Sequence, residues 1–448
     1  MTPSPTATTL RRSLGLPAVI LFGLAYMAPI IVYGTFGILA EKSQGTVAMS
    51  YLLALVAVLL TAISYGRMAN LYPVAGSAYS YARRAIGAHV GFLVGWAVLL
   101  DYFFIPMVIW LIGAAYLSAE FPSVPSWLWI VLYIAITTAV NIIGIVFASR
   151  TNIILMAVQC LIVAAFVFLC GRYVVAALGP GGLVSAAPFF QADVPLSAAL
   201  SGAAVAAYSF LGFDAVTTLT EETKDPQRTM PRAILAIALI GGAVFIVAAY
   251  FAQLVHPGGD FDNADAASFE IAMTIGGDLF AAIFLAGLVI AQFTAGLSAQ
   301  ASVGRLLYAM GRDGVLPRRI FGYLHPRLRT PALNLLFAGA IGLAALFLTE
   351  ESSTSFINFG AFLAFTAVNL SVAVLYVKWH PRIRPIGALR GLLLPLVGAA
   401  ITLVLLASLD RDALILGSVW LCIGIAYLCA LTRLFTRAPP DLHMAEVG

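Results

Sequence analysis

The sequence predicts an all-α integral membrane protein with twelve transmembrane helices. Three observations carry that prediction. Of 448 residues, 62% are hydrophobic and 10% charged, too few charged groups to clothe a water-soluble surface. Apolar runs of membrane-spanning length recur from end to end of the chain. The basic residues gather in alternate gaps between those runs, the positive-inside pattern.

In windows of about 20 residues the helices fall at 17–40, 46–69, 90–119, 126–147, 152–176 and 197–222, then at 232–255, 271–308, 332–349, 354–378, 389–409 and 413–435. Residues 1–16 read as a polar, basic cytoplasmic tail. They lack a separate short apolar segment and a small-residue cleavage site, so no removable signal peptide is expected and the first run is retained as a helix. With the N-terminus inside, 21 of the 24 Lys and Arg residues are cytoplasmic, leaving Lys42, Arg172 and Arg411 outside. That split orients both termini, including a tail at 436–448, toward the cytoplasm of an inner membrane. Acidic residues collect outside, at Asp260, Asp262, Asp265 and Glu270, at Glu350 and Glu351, and at Asp410 and Asp412. Those are either solvated loop surface or a negative vestibule that concentrates cations.

Several function classes are excluded by what the chain lacks. Cys160, Cys170, Cys422 and Cys429 all sit in apolar runs without metal-ligand spacing and are expected to be small buried packing residues. The net charge of +4 is spread over short loops rather than gathered on one face, so no nucleic-acid partner is expected. No Gly-x-x-x-x-Gly-Lys-Ser/Thr phosphate loop occurs, which argues against nucleotide-driven pumping. His89, His256, His325, His380 and His443 lie at helix ends or in loops without a second ligand at metal spacing. The expectation is therefore no metal, no cofactor and no enzyme.

Two helices interrupt their own pattern. The first reads GLAYMAPIIVYGTFG, broken at Pro29 and Gly34, and the sixth reads AAYSFLGFDAVTTLTEE, broken at Gly212 and Asp214. An odd number of helices separates their starts, so the two run in opposite directions, as in an inverted-topology repeat. Transporters of that kind unwind corresponding helices at the midplane and offer backbone groups to a substrate. The repeats would be residues 17–176 and 197–378, with two further helices over 389–435.

Asp101 and Asp214 are the acidic residues expected well inside helices. A carboxylate there costs about 2.5–3.5 kcal/mol on insertion scales and calls for a partner. No Lys or Arg sits at the core of any expected helix, which leaves a titrating proton or a bound cation. Asp214 has a second reading, as a cap on the half-helix that follows the break, and Asp101 has one as a hydrogen-bonding group between helices. Aromatic residues stand beside both: Tyr26 and Tyr33 at the first break, Tyr102 and Phe103 after Asp101, Tyr208 and Phe210 before Asp214. Aromatic faces attract alkylammonium groups and cover methylene chains.

Residues 210–234, FLGFDAVTTLTEETKDPQRTMPRAI, resemble the sixth-helix segment of the amino acid-polyamine-organocation transporters. Residues 301–334, ASVGRLLYAMGRDGVLPRRIFGYLHPRLRTPALN, resemble their eighth helix and the segment after it, and residues 74–102 extend the likeness. Within that family, SYLLALVAVLLTAISYG, GFDAVTTLTEET and INFGAFLAFTAVNLSV look most like the bacterial putrescine importers. The resemblance implies a LeuT-like, five-plus-five proton-coupled importer whose site lies between broken helices one and six and helices three, eight and ten. On matching positions it implies substrate contacts from Asp214, Phe210, Asp101 and Tyr102, with Gly212 as the unwinding glycine; Tyr33 is added as a lining residue.

The chain departs from that pattern in three places. VYGTFG replaces the Gly-Ser-Gly-like run that holds a substrate carboxylate, which favours a substrate without one. Gln159 stands where many proton-coupled relatives place a lysine. Gly34 stands where the putrescine importers carry an acidic residue, leaving Asp101 as the second carboxylate for a diamine. The expected activity is uptake of a small amine, putrescine first, with Asp101 and Asp214 binding ammonium or exchanging a proton. An amino-acid importer or exchanger on the same scaffold, and a sensor or assembly subunit that binds without transport, are the alternatives.

Overall fold

The structure is a computed structural model that describes residues 14–73, 77–143, 149–312, 316–328, 330–437 and 439. Most of both expected tails, with Arg11 and Arg12, the end of the fourth expected helix, and Arg329 lie outside the described residues. Among the described residues the chain is helical, with one isolated bridge between Leu14 and Thr223.

The first expected helix is three pieces: α1 (Leu16–Met27), α2 (Ile31–Gly34) and α3 (Phe36–Lys42). Pro17 is accepted in the first turn of α1, where an amide would have no helical partner anyway. The helix stops because Ala28 turns to φ 49° and Pro29 cannot supply the next amide. α4 (Val47–Leu71) is followed by α5 (Ser77–Ala85), a short amphipathic helix where the sequence reading had only loop. Next come α6 (Ala88–Glu120), α7 (Ser126–Ile143) and α8 (Ser149–Leu178).

The sixth expected helix is α-helical only over α9 (Leu196–Ala206). It tightens to a 3-10 turn over Ala207–Phe210, opens at Leu211–Asp214, and resumes as 3-10 over Ala215–Glu222. α10 (Pro226–Val255) then leads to α11 (Ala267–Arg312), which bends where Gly277 takes φ 65° and ψ −169°. Asp278, inside the eighth expected helix, thereby falls at the start of the part after the bend. After α12 (Arg318–Phe321), the ninth expected helix is α13 (Ala332–Gly342) with a 3-10 turn over Leu343–Leu346.

α14 (Glu350–Val377) begins earlier than expected, because Thr349 caps it by accepting from the Ser352 amide. Glu350 and Glu351, read from sequence as loop residues, are its first turn. α15 (Leu394–Ala407) follows a π-turn at Leu389–Leu393. α16 (Arg411–Leu431) is capped by Asp410 and ends four residues early, before Arg433, Leu434 and Phe435 take positive φ.

Eleven helices among the described residues are long and apolar enough to cross a membrane, and Ala332–Leu346 is a shorter apolar helix. Their outer faces present side chains such as Leu161, Phe168, Leu279 and Ile423 to the surroundings. Such a band suits lipid rather than water. The broken segment Leu196–Thr217 is the most enclosed, with 78% of its apolar stretch buried, and Arg411–Leu431 the least, at 17%. The break in helix six is therefore central and α16 peripheral. One expectation fails: of the four cysteines only Cys170 is buried, while Cys160 and Cys422 are exposed among the lipid-facing apolar residues.

Candidate functional site

The two breaks meet. Gly212 takes φ +108°, a conformation that L side chains rarely adopt, and a Cβ there would sit 2.2 Å from Cδ1 of Tyr26. Tyr26 is the second-last residue of α1, so its ring rests directly on the unwound turn of helix six. That turn runs from Leu211, at ψ 131°, to Asp214, at φ −90° and ψ −19°.

The Asp214 side chain makes no capping bond to the turn that follows it. Instead Oδ2 accepts from the Tyr65 hydroxyl of α4 and from Ser77 Oγ at the start of α5, each at 3.2 Å. Its carbonyl accepts from the amide and hydroxyl of Thr217, at 2.9 and 2.7 Å, which fixes the backbone beneath the carboxylate. Two segments distant in sequence from the break thus hold its carboxylate.

Asp101 lies on α6 beside Gly360 of α14. A Cβ at Gly360 would stand 2.5 Å from the Ala97 carbonyl and 3.1 Å from Asp101 Oδ1, so the glycine is what lets α6 and α14 close on each other here. Asp101 Oδ1 is buried without a hydrogen-bond partner. Pro106, inside α6, has no amide to give the Tyr102 carbonyl one turn earlier, which frees a second acceptor next to Asp101. Gly360→Ala should disturb this contact at about 1–3 kcal/mol, the usual penalty of overpacking. A lower unfolding temperature of the purified protein in detergent checks it.

The carboxylates of Asp101 and Asp214 lie within electrostatic reach of one another, and both reach Tyr26 and Tyr102. Asp101, Tyr102 and Asp214 are each only partly buried. The structure thus brings together Asp101, Tyr102, Gly212 and Asp214. The ion pairs Lys42–Glu351 and Arg228–Asp225 lie elsewhere. Two carboxylates, phenol rings and a freed carbonyl within electrostatic reach of one another are groups that attract a positive charge.

Two candidate residues point away from it. Phe210 is fully buried against Tyr51 and Phe245, with ring centroids at 6.4 and 5.3 Å. Tyr33 is fully buried between Phe166 and Phe284, at 4.1 and 5.6 Å, and its carbonyl accepts from the Tyr116 hydroxyl. Pro29 lies in the turn between α1 and α2. Gly34 ends α2, where a Cβ would press on Ile112 of α6 at 3.2 Å. Gln159 is buried on α8 with Oε1 unpartnered.

Tyr65 and Ser77 escaped the sequence reading. Ser77 has one signal, the hydroxyl- and aromatic-rich run SAYSYARR, whose strongly amphipathic spacing marks α5 as a helix lying against the bundle, whereas Tyr65 lies in the apolar run of α4 and has none. Among the described residues no group of three or more His, Cys, Asp or Glu is placed to hold a metal ion.

Residues 18–438 match the amino acid permease family. The chain is 40% identical over 443 residues to the low-affinity putrescine importer PlaP of Escherichia coli K12, covering 98% of each chain. It is 27% identical over 443 residues to the methylthioribose transporter of Bacillus subtilis, covering 93% of this chain and 92% of that one. Over 399 residues it is 30% identical to cationic amino acid transporter 4 of Homo sapiens, covering 83% of this chain and 61% of that one. With apolar helices from end to end and a match over nearly its whole length, this chain is a multi-pass membrane protein that belongs to the amino acid permease family.

Proposed function

We propose that this protein imports a small cationic amine, putrescine foremost, across the inner membrane by alternating access, coupled to a proton. The observation that carries the reading is the pair Asp101 and Asp214, two carboxylates within reach of each other where broken helices one and six meet. A diamine carries two positive charges and would balance the pair. The similarity to a putrescine importer over 98% of both chains supports the same substrate.

The framework we propose is twelve crossings, taking Ala332–Leu346 as the shortest, with residues 17–176 and 197–378 as five-helix repeats of opposite orientation and 389–435 as two further helices. Both termini face the cytoplasm, by the distribution of Lys and Arg. Gly212 and Ala28, which leave helical geometry, and Pro29, which has no amide to give, are the points about which the half-helices move. Asp101 and Asp214 bind ammonium in turn with the coupling proton. Phe210 and Tyr33 sit behind the site and would reach it only when the half-helices rearrange.

An amino-acid importer is the second reading, favoured by the similarity to a cationic amino acid transporter. Uptake into proteoliposomes separates the two. Labelled putrescine is expected to accumulate above protein-free vesicles when the interior is made alkaline, and a protonophore should abolish the excess. Uptake of zwitterionic amino acids alone would sink the amine reading, and binding without accumulation would favour a sensor.

A further inference from the structure

Away from the arginine-rich loops, α14 opens on two successive glutamates with opposite surroundings. Glu351 pairs with Lys42 of α3 at 2.5 Å, each side chain about a third exposed, at 33% and 36%. Glu350 turns inward and is 2% exposed, and neither of its carboxylate oxygens has a hydrogen-bond partner. Its backbone is in order, because Thr349 caps the helix and Thr354 Oγ1 donates to the Glu350 carbonyl at 2.7 Å. Only the carboxylate is left without partners.

Oxygen-bearing side chains lie within electrostatic reach of that carboxylate. Asp265, in the 3-10 turn Ala264–Ala266 before α11, is within electrostatic reach, as are Tyr116 of α6 and Tyr208 of the turn leading to the helix-six break. Ser268 lies against Tyr116, and the hydroxyl of Ser353 is buried and unpartnered. Acidic groups crowd this end: burial and the neighbouring carboxylates of Asp265 and Glu351 push Glu41 above the ordinary carboxylate value. The nearby ammonium, Lys42, is already engaged by Glu351.

A buried, unpartnered carboxylate is unfavourable, and either a proton or a bound cation relieves it. Two acidic groups with phenol groups within reach suit a primary ammonium, whose methylenes a phenol ring can cover. The position connects with the central site. Tyr208 is within electrostatic reach of Tyr26, and Tyr26 rests on Gly212 and reaches Asp214. We propose that Glu350, with Asp265, Tyr116 and Tyr208, forms a second, outer site for a primary alkylammonium group, filled before the cation passes Tyr208 to the Asp101–Asp214 pair. The choice of ligand rests on the amine-import reading.

The test is equilibrium binding of labelled n-butylammonium to the purified full chain, with Glu350→Gln, Glu350→Asp and Asp214→Asn as variants. Wild type should show two classes of site. Asp214→Asn should keep the outer class, Glu350→Gln should weaken it about tenfold or more, as loss of a charged partner does, and Glu350→Asp should retain it. Glutamine mimics the protonated acid, so two unchanged classes in Glu350→Gln would mean that Glu350 is merely neutral and would overturn the proposal. A single class abolished by Asp214→Asn overturns it too. A measurement on wild type needs no variant: dicyclohexylcarbodiimide should label Glu350, read by peptide mass spectrometry, and n-butylammonium should suppress the labelling. Labelling that the amine does not suppress overturns the site. Butylammonium binding through Glu350 in a protein that imports no putrescine would refute the import reading and leave the outer site standing. Putrescine import with binding unchanged in Glu350→Gln would refute the outer site alone.

Discussion

Gly212→Ala is expected to abolish putrescine uptake in proteoliposomes while the chain still inserts and purifies. Two penalties coincide at this residue. The φ of +108° is one that alanine adopts only with strain, of about 1–3 kcal/mol. The new methyl would also stand 2.2 Å from Cδ1 of Tyr26 and 3.0 Å from Cε1, so the ring must leave. Tyr26 is 41% exposed, so its ring can swing outward, and doing so takes an aromatic face off the unwound turn and away from Asp214. Gly277 is the control, since it too has positive φ, at 65°, but nothing lies within 4 Å of where its Cβ would be. Gly277→Ala should lower the unfolding temperature and keep most of the uptake. Wild-type uptake by Gly212→Ala would show that the contact between the two breaks is dispensable.

The helices themselves were legible because a membrane demands a long apolar run and an internally bonded backbone, and both leave plain marks in sequence. The positions of Asp101, Gly212 and Asp214 were legible for the same reason, since each violates the run in which it lies. Side-chain direction beyond the breaks was not. Phe210 and Asp214 are four apart and would share a face of an α-helix. The chain is instead 3-10 up to Phe210 and extended at Leu211, so Phe210 turns to α4 and α10 while Asp214 turns to Tyr65 and Ser77. Tyr26 and Tyr33 are separated likewise by the turn at Ala28. Ser77 was invisible because its role depends on α5 folding back under a helix far along the chain. Glu350 was misread because charge suggests a loop, whereas a threonine cap lets a helix begin on it.

Asp214→Asn is expected to lower putrescine uptake about a hundredfold or more, the scale set by removing one partner of a buried charged contact at about 2–5 kcal/mol. Asparagine is nearly isosteric and keeps an oxygen for the Tyr65 hydroxyl and Ser77 Oγ, so the fold should survive and the charge alone should be lost. Tyr65→Phe and Ser77→Ala perturb the same contact from the other side. Each removes one donor to Oδ2 and leaves the charge, so each should cost about tenfold or somewhat more, in line with about 1.5–3 kcal/mol for a hydrogen bond to a charged group. Combined with Asp214→Asn neither should cost more, because the carboxylate that it orients is gone. Asp101→Asn divides the two ends of the ligand. If a diamine bridges the pair, Asp101→Asn should weaken putrescine strongly and leave inhibition of uptake by n-butylammonium nearly unchanged, whereas Asp214→Asn should weaken both. Unchanged apparent affinity for putrescine in Asp214→Asn would make Asp214 a structural acceptor for α4 and α5 and move the ammonium site elsewhere. Equal loss of both ligands in Asp101→Asn would keep the carboxylate pair as a site for one ammonium group and rule out the bridge.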